Sequence, residues 1–163
     1  MNATDFKGLQ KTFTYRQLNK AAPQDVFPLL CPVRECDWLD GWNYQMIHSE
    51  SGLIEKDCVF TTPMHGNEDT VWQVTQYDPE SFRIEFVRFT PGDNVVKINI
   101  KLRKVHASLT ESTITYRYTA LSRDQNSYLE FELEQDFKNS MTWWEKAINH
   151  YLLTGEMLKQ KEV

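Results

Sequence analysis

The sequence predicts an α+β fold: one curved antiparallel sheet of about seven strands, gripping a long C-terminal helix on its concave face. Two observations carry the prediction. In the closing segment, Asn126 to Leu153, large apolar residues recur at Leu129, Leu133, Phe137, Met141, Trp144, Ile148 and Tyr151. Steps of four and three wind those side chains onto one helical face, which must lie against a partner. The long stretch before it is strand-like, broken only by short clusters of turn residues, so neighbouring strands pair antiparallel.

The elements follow in order. Residues 1–10 read as a loose lead-in, and Lys11–Leu18, rich in Thr and aromatics, as an edge strand. Pro23 suits the first turn of a helix and Pro28 keeps that helix short. Pro32 to Leu39 makes a second short helix, stopped by Asp40-Gly41. Six strands are then expected at Asn43–Ser49, Cys58–Pro63, Thr70–Tyr77, Phe82–Phe89, Val95–Val105 and Ser112–Leu121. The clearest alternation sets Val96, Ile98, Ile100 and Leu102 against Lys97, Asn99, Lys101 and Arg103, and Ile114, Tyr116 and Tyr118 against Thr115, Arg117 and Thr119. That is a sheet covered on one side. For the last helix, Ser127 with Glu130 three residues on forms a capping box, and Gly155 is the stop. Leu129, Phe131 and Leu133 also alternate, but Glu130, Glu132, Glu134 and Asp136 favour a helix N-terminus over a strand.

The 163 residues fit a single domain of ordinary globular composition, 40% hydrophobic and 25% charged. A net charge of −5 argues against nucleic acid or an anionic membrane as partner, and no stretch is apolar enough for stable membrane insertion. Cys31, Cys36 and Cys58, an odd number without metal-site spacing, suggest buried thiols in a reduced, cytoplasmic protein. Neither a metal nor another cofactor is expected, and the oligomeric state is open between monomer and homodimer. Phosphate loops, a nucleotide fingerprint and a serine elbow are missing from the sequence.

Strand, two short helices, six strands and a long helix is the order of the helix-grip fold. Cys31-Pro32-Val33-Arg34-Glu35, Trp38, Gly41-Trp42, Ser49-Glu50-Ser51-Gly52 and Cys58-Val59-Phe60-Thr61-Thr62 resemble bacterial members of the START/polyketide-cyclase superfamily. Tyr77-Asp78-Pro79, Thr90-Pro91-Gly92 and Asn149-His150-Tyr151-Leu152 continue the resemblance, which runs from Lys11 to about Leu158. It implies a cavity between sheet and helix, used by different relatives for lipids, sterols, plant hormones or polyketide intermediates. It implies no single activity, because one fold hosts many functions.

On that frame Phe137, Met141 and Trp144 would look into the cavity from the helix, and Phe60, Trp72, Phe86, Ile98 and Tyr116 from the sheet, with Trp38 and Trp42 near a mouth. The alternative is that these rings simply fill the core. His48 shares parity with Tyr44 and Met46, and Arg88 with Ile84 and Phe86, so either could point inward as an anchor or an acid/base group, or end on the rim. His65, His106 and His150 read as surface residues. Arg34 and Glu35 read as an ion pair or cap of the second short helix, and Arg34 could also activate a nucleophilic cysteine. Lys97, Lys101, Arg103 and Arg117 form a basic stripe on the outer face.

These residues point first to a binder of a hydrophobic or amphipathic small molecule: a lipid, isoprenoid or aromatic metabolite. No catalytic residue is identified, which weighs against the second reading, a polyketide cyclase/dehydratase-type enzyme working in the same cavity. A third, a protein-interaction or chaperone-regulator module, rests on the basic stripe alone.

Overall fold

The computed structural model describes residues 5–64 and 68–161. Seven antiparallel strands form one sheet in the order β1-β7-β6-β5-β4-β3-β2. They are β1 (Gln10–Asn19), β2 (Gln45–His48), β3 (Val59–Thr62), β4 (Thr70–Asp78), β5 (Arg83–Thr90), β6 (Asn94–His106) and β7 (Leu109–Ala120). Between β1 and β2 lie α1 (Pro23–Val26), a 3-10 turn (Phe27–Leu30) and α2 (Pro32–Trp38); α3 (Arg123–Phe131) and α4 (Leu133–Thr154) close the chain. This is the helix-grip architecture that the order of elements predicts.

The alternating strands behave as their pattern requires. Val96, Ile98, Ile100 and Leu102 are buried while Lys97, Lys101 and Arg103 are exposed. Register then lines up the inner face in rows. One runs Val74, Phe86, Ile98, Tyr116, Phe13 and the next Phe60, Trp72, Arg88, Val96, Tyr118. Because side chains two apart share a face, this places an arginine among aromatic and apolar neighbours on the covered side. On the outer face Lys97 meets Glu85 at 3.9 Å and Arg103 meets Glu111 at 3.2 Å, so acidic residues interrupt the expected basic stripe.

The closing helix is not continuous. Its cap lies five residues before the expected one, at Ser122, whose hydroxyl accepts the Gln125 N–H at 3.2 Å; Ser127 lies inside the helix and donates back to the Arg123 carbonyl. At Glu132 (φ −122°, ψ −35°) the helix breaks. The like-charged pairs Glu130/Glu134 and Glu132/Asp136, four residues apart, weaken it there, and α3 packs against β7 whereas α4 packs against β1. The apolar stripe survives the break, with Leu129, Leu133, Phe137, Met141 and Ile148 buried. Those five side chains contribute on the order of 10 kcal/mol before entropy is counted. Gly155 ends the helix as predicted, in the left-handed conformation (φ 73°) with its N–H on the Tyr151 carbonyl.

Three further expectations need correction. The lead-in is anchored from Lys7 onward: the Asn126 side chain holds the Leu9 N–H and the Lys7 carbonyl, and Ala120 N–H donates to Leu9. A methyl group built on Gly8 would run into the Ala120 carbonyl oxygen. Of the three thiols, Cys31 and Cys58 are buried, but Cys36 is exposed. Arg34 pairs with Asp37 at 2.9 Å, not with Glu35. The turn expected around His65 lies outside the described residues.

Candidate functional site

Two adjoining chambers separate the sheet from α4, and Arg88, Tyr116 and Met141 border both. The inner one, about 190 Å³, lies over the centre of the sheet against α2. The outer one, about 390 Å³, opens beneath α3 and the start of α4. Small-molecule sites fall at about 300–1,000 Å³, so the inner chamber alone is tight and the two together are ample.

Most residues expected in the cavity do meet there. Trp42, Phe60, Trp72, Phe86, Arg88, Ile98, Tyr116, Met141 and Trp144 line the inner chamber, and Phe137 lines the outer. Their rings brace one another: Phe60 stacks on Trp72 at 5.4 Å, Trp42 and Phe86 meet the Trp72 ring edge-on, and Phe137 packs on Phe13 and Tyr116 at 5.4 Å. Trp42 donates its indole N–H to the Pro32 carbonyl and Trp72 to Thr62. Each such ring therefore presents an apolar surface to the chamber while its polar atom is satisfied elsewhere.

Two expected residues lie elsewhere. Trp38 is fully buried behind the wall, its indole bonded to the Leu29 carbonyl at 2.9 Å and its ring edge-on to Trp144 at 5.1 Å. It is core, because α2 turns that side chain towards the packed N-terminal helices. His48 is exposed and borders a separate surface depression with Glu55 and Lys56. The register of β2 against β3 shifts between Met46 and His48, and one extra residue in a strand sends the next side chain to the other face.

Arg88 is the polar centre of the site. Its guanidinium carbon lies 5.3 Å from the Trp72 ring, 5.8 Å from Tyr116 and 5.9 Å from Tyr118. The aromatic faces stabilise the cation, and hydrogen bonding with the Tyr118 phenol engages another part of the guanidinium. Its Nε is buried with no partner among the described residues, and no carboxylate there forms an ion pair with it. A buried donor left open in this way is costly unless something else fills it.

The charged residue of the inner chamber that was not foreseen is Glu35. It projects from α2 into the inner chamber beside Leu39, Trp42 and Trp144. Because it borders open space it keeps some accessible surface, yet protein surrounds it, and that enclosure governs its charge. Burial pushes its carboxyl up to about 8, against a smaller downward pull from hydrogen bonding with the Trp144 side chain. The only hint in the sequence is its position three residues before Trp38, on the inward side of a short helix.

The tyrosines complete the polar set. Burial raises both the Tyr116 and Tyr118 phenols, with the nearby Arg88 charge opposing, so both stay protonated and can donate. The inner chamber thus offers a fixed cation, a carboxyl that changes charge just above neutrality and the Tyr116 phenol, and the Tyr118 phenol borders the outer chamber. Among the described residues no three His, Cys, Asp or Glu side chains cluster closely enough to hold a metal ion.

Neither a protein-family model nor a curated protein matches the sequence. Solved structures do match in fold. Norcoclaurine synthase from Thalictrum flavum superposes with a TM-score of 0.67 at 10% identity, covering 91% of this chain and 89% of that one. A hypothetical protein from Helicobacter pylori gives 0.71 at 12% identity, covering 86% and 87%. The Zhui aromatase/cyclase from Streptomyces gives 0.64 at 12% identity, covering 92% and 100%. This chain shares the helix-grip fold with these structures, and similarity at these identities concerns fold alone.

Proposed function

We propose that the protein binds an amphipathic small molecule whose apolar, aromatic-sized body lies between Trp72, Phe86 and Met141 and whose acidic or carbonyl oxygen is held by Arg88. The observation that carries this reading is the Arg88 guanidinium, framed by three rings and left with an open, buried donor. A structural arginine on this face would be expected to meet a carboxylate; here the complement is left to a ligand. A ligand seated there removes apolar surface from water, and the arginine fixes its orientation. On this reading residues 1–163 act as one domain, in the cytoplasm, as monomer or homodimer.

A second reading, a cyclase/dehydratase-type enzyme, is favoured by Glu35, because a carboxyl pushed up to about 8 can both give and take a proton near neutral pH. The interaction-module reading loses its motive, since Glu85 and Glu111 break up the outer stripe.

The test is native mass spectrometry and organic extraction of the purified protein alongside Arg88→Met. Methionine keeps the volume and removes the cation, so the variant should melt no lower than the parent. A co-purified acidic or carbonyl-bearing lipophile, lost at least tenfold in the variant, is the expected result. Equal retention by both proteins would sink the role given to Arg88.

A further inference from the structure

Resting on that reading, a second feature of the inner chamber narrows the ligand class. Glu35 on α2 and Arg88 on β5 border the same space of about 190 Å³, yet no ion pair joins them. Opposite charges enclosed together ordinarily meet, because pairing is what offsets their loss of water. Here the phenol of Tyr116 feels both charges, whereas the carboxyl of Glu35 is shaped by burial and Trp144 alone. The two groups are therefore held apart on different walls.

The rest of α2 does nothing to relieve Glu35. Arg34 is engaged with Asp37 on the exposed side. Facing the carboxyl are Arg88 from β5, Tyr116 from β7, Trp144 from α4, and Cys36 on its own helix. None of these brings a cation close enough to pair. What surrounds it instead are the indoles of Trp42 and Trp144, with Trp72 across the chamber. A carboxylate beside aromatic faces is a receptor for an organic cation, since the anion supplies the counter-charge and the rings add cation–π attraction.

We infer that the inner chamber takes a two-ended molecule, with an anionic oxygen group on Arg88, a flat apolar body between the rings, and a basic nitrogen on Glu35. In the empty protein the carboxyl holds its proton through neutral pH; an ammonium ion displaces that proton to solvent and forms the ion pair. The site thus accepts a cation without keeping a bare carboxylate when unoccupied.

Quenching of chamber tryptophan fluorescence reads the binding of defined probes near neutral pH. Para-(aminomethyl)benzoate carries both ends, para-methylbenzoate only the anion, benzylamine only the cation, and para-(hydroxymethyl)benzoate a neutral donor in place of the amine. The two-ended probe should bind about tenfold or more tightly than any of the other three. Glu35→Gln should erase that advantage while leaving para-methylbenzoate unchanged, and proton release on binding should disappear with it. If the aminomethyl and hydroxymethyl probes bind equally, or Glu35→Gln is without effect, the basic-nitrogen end is wrong. Binding of para-methylbenzoate that is lost in Arg88→Met would keep the earlier reading intact in that case. If no probe binds, the two-ended class is wrong, and the extraction experiment decides the role of Arg88 independently.

Discussion

The two sides of α4 are built on opposite principles. Towards β1 the helix is sewn to a strand edge. Glu145 accepts from the Tyr15 hydroxyl and the Leu18 N–H, and Asn149 donates to the Leu18 carbonyl and accepts from the Lys20 N–H, at 2.8–3.0 Å. The C-terminal end of this edge strand thereby has its outward backbone groups at Leu18 engaged. Towards the chambers the same helix presents Phe137, Met141 and Trp144 to open space, opposite Arg88 with a buried donor unpaired. One side is satisfied and the other is not. Groups on the first side hold the fold; groups on the second store an unmet interaction, where ligand free energy enters. The division has exceptions: the buried Gln17 and Asn19 share a bond, yet Gln17 Oε1, Asn19 Nδ2 and, on α4 itself, Trp143 Nε1 find no partner among the described residues.

The comparison predicts effects of opposite sign. The largest belongs to the seam. Glu145→Ala with Asn149→Ala removes four hydrogen bonds and should cost about 4 kcal/mol in urea unfolding, at roughly 1 kcal/mol each. A loss below about 1 kcal/mol would mean that the seam is incidental.

Smaller and opposite is the effect at the chamber. Glu35 ordinarily titrates near 4.5 and in the fold near 8, so the native state holds its proton through a window where the unfolded chain has lost it. Stability from this group is complete below that lower value and is lost as pH rises through the upper one. Glu35→Gln removes the charging cost. It should therefore stabilise the protein at pH 8 by on the order of 2–3 kcal/mol relative to the parent, with the gain shrinking towards pH 5. Thermal melts across that range check it; a gain independent of pH would show that the carboxyl is not enclosed. The smallest effect is at His48, on neither side, where alanine should change stability by less than about 0.5 kcal/mol and leave ligand retention unaltered.

How far each region was legible follows from how local its cause is. The β6 and β7 strands could be read because strict alternation over many residues admits one inner face. Arg88 followed by parity from Ile84 and Phe86. The same parity rule failed for His48, since a register shift leaves no mark in the residues that carry it. The aromatic stripe of α4 was readable, but its break at Glu132 was not, as it depends on α3 and α4 meeting different strands.

By itself, then, the sequence determined the order of elements, the inner faces of the long strands and the apolar stripe opposite them, because periodicity acts within one segment. Only the tertiary structure decided what α2 does with three neighbouring residues. It sends Trp38 into the core, pairs Arg34 with Asp37 outside, and leaves Glu35 facing the chamber without an ion pair to Arg88. A helix of seven residues carries too little pattern to fix its own rotation. That rotation is set by the walls it packs between, and with it the position of the carboxyl.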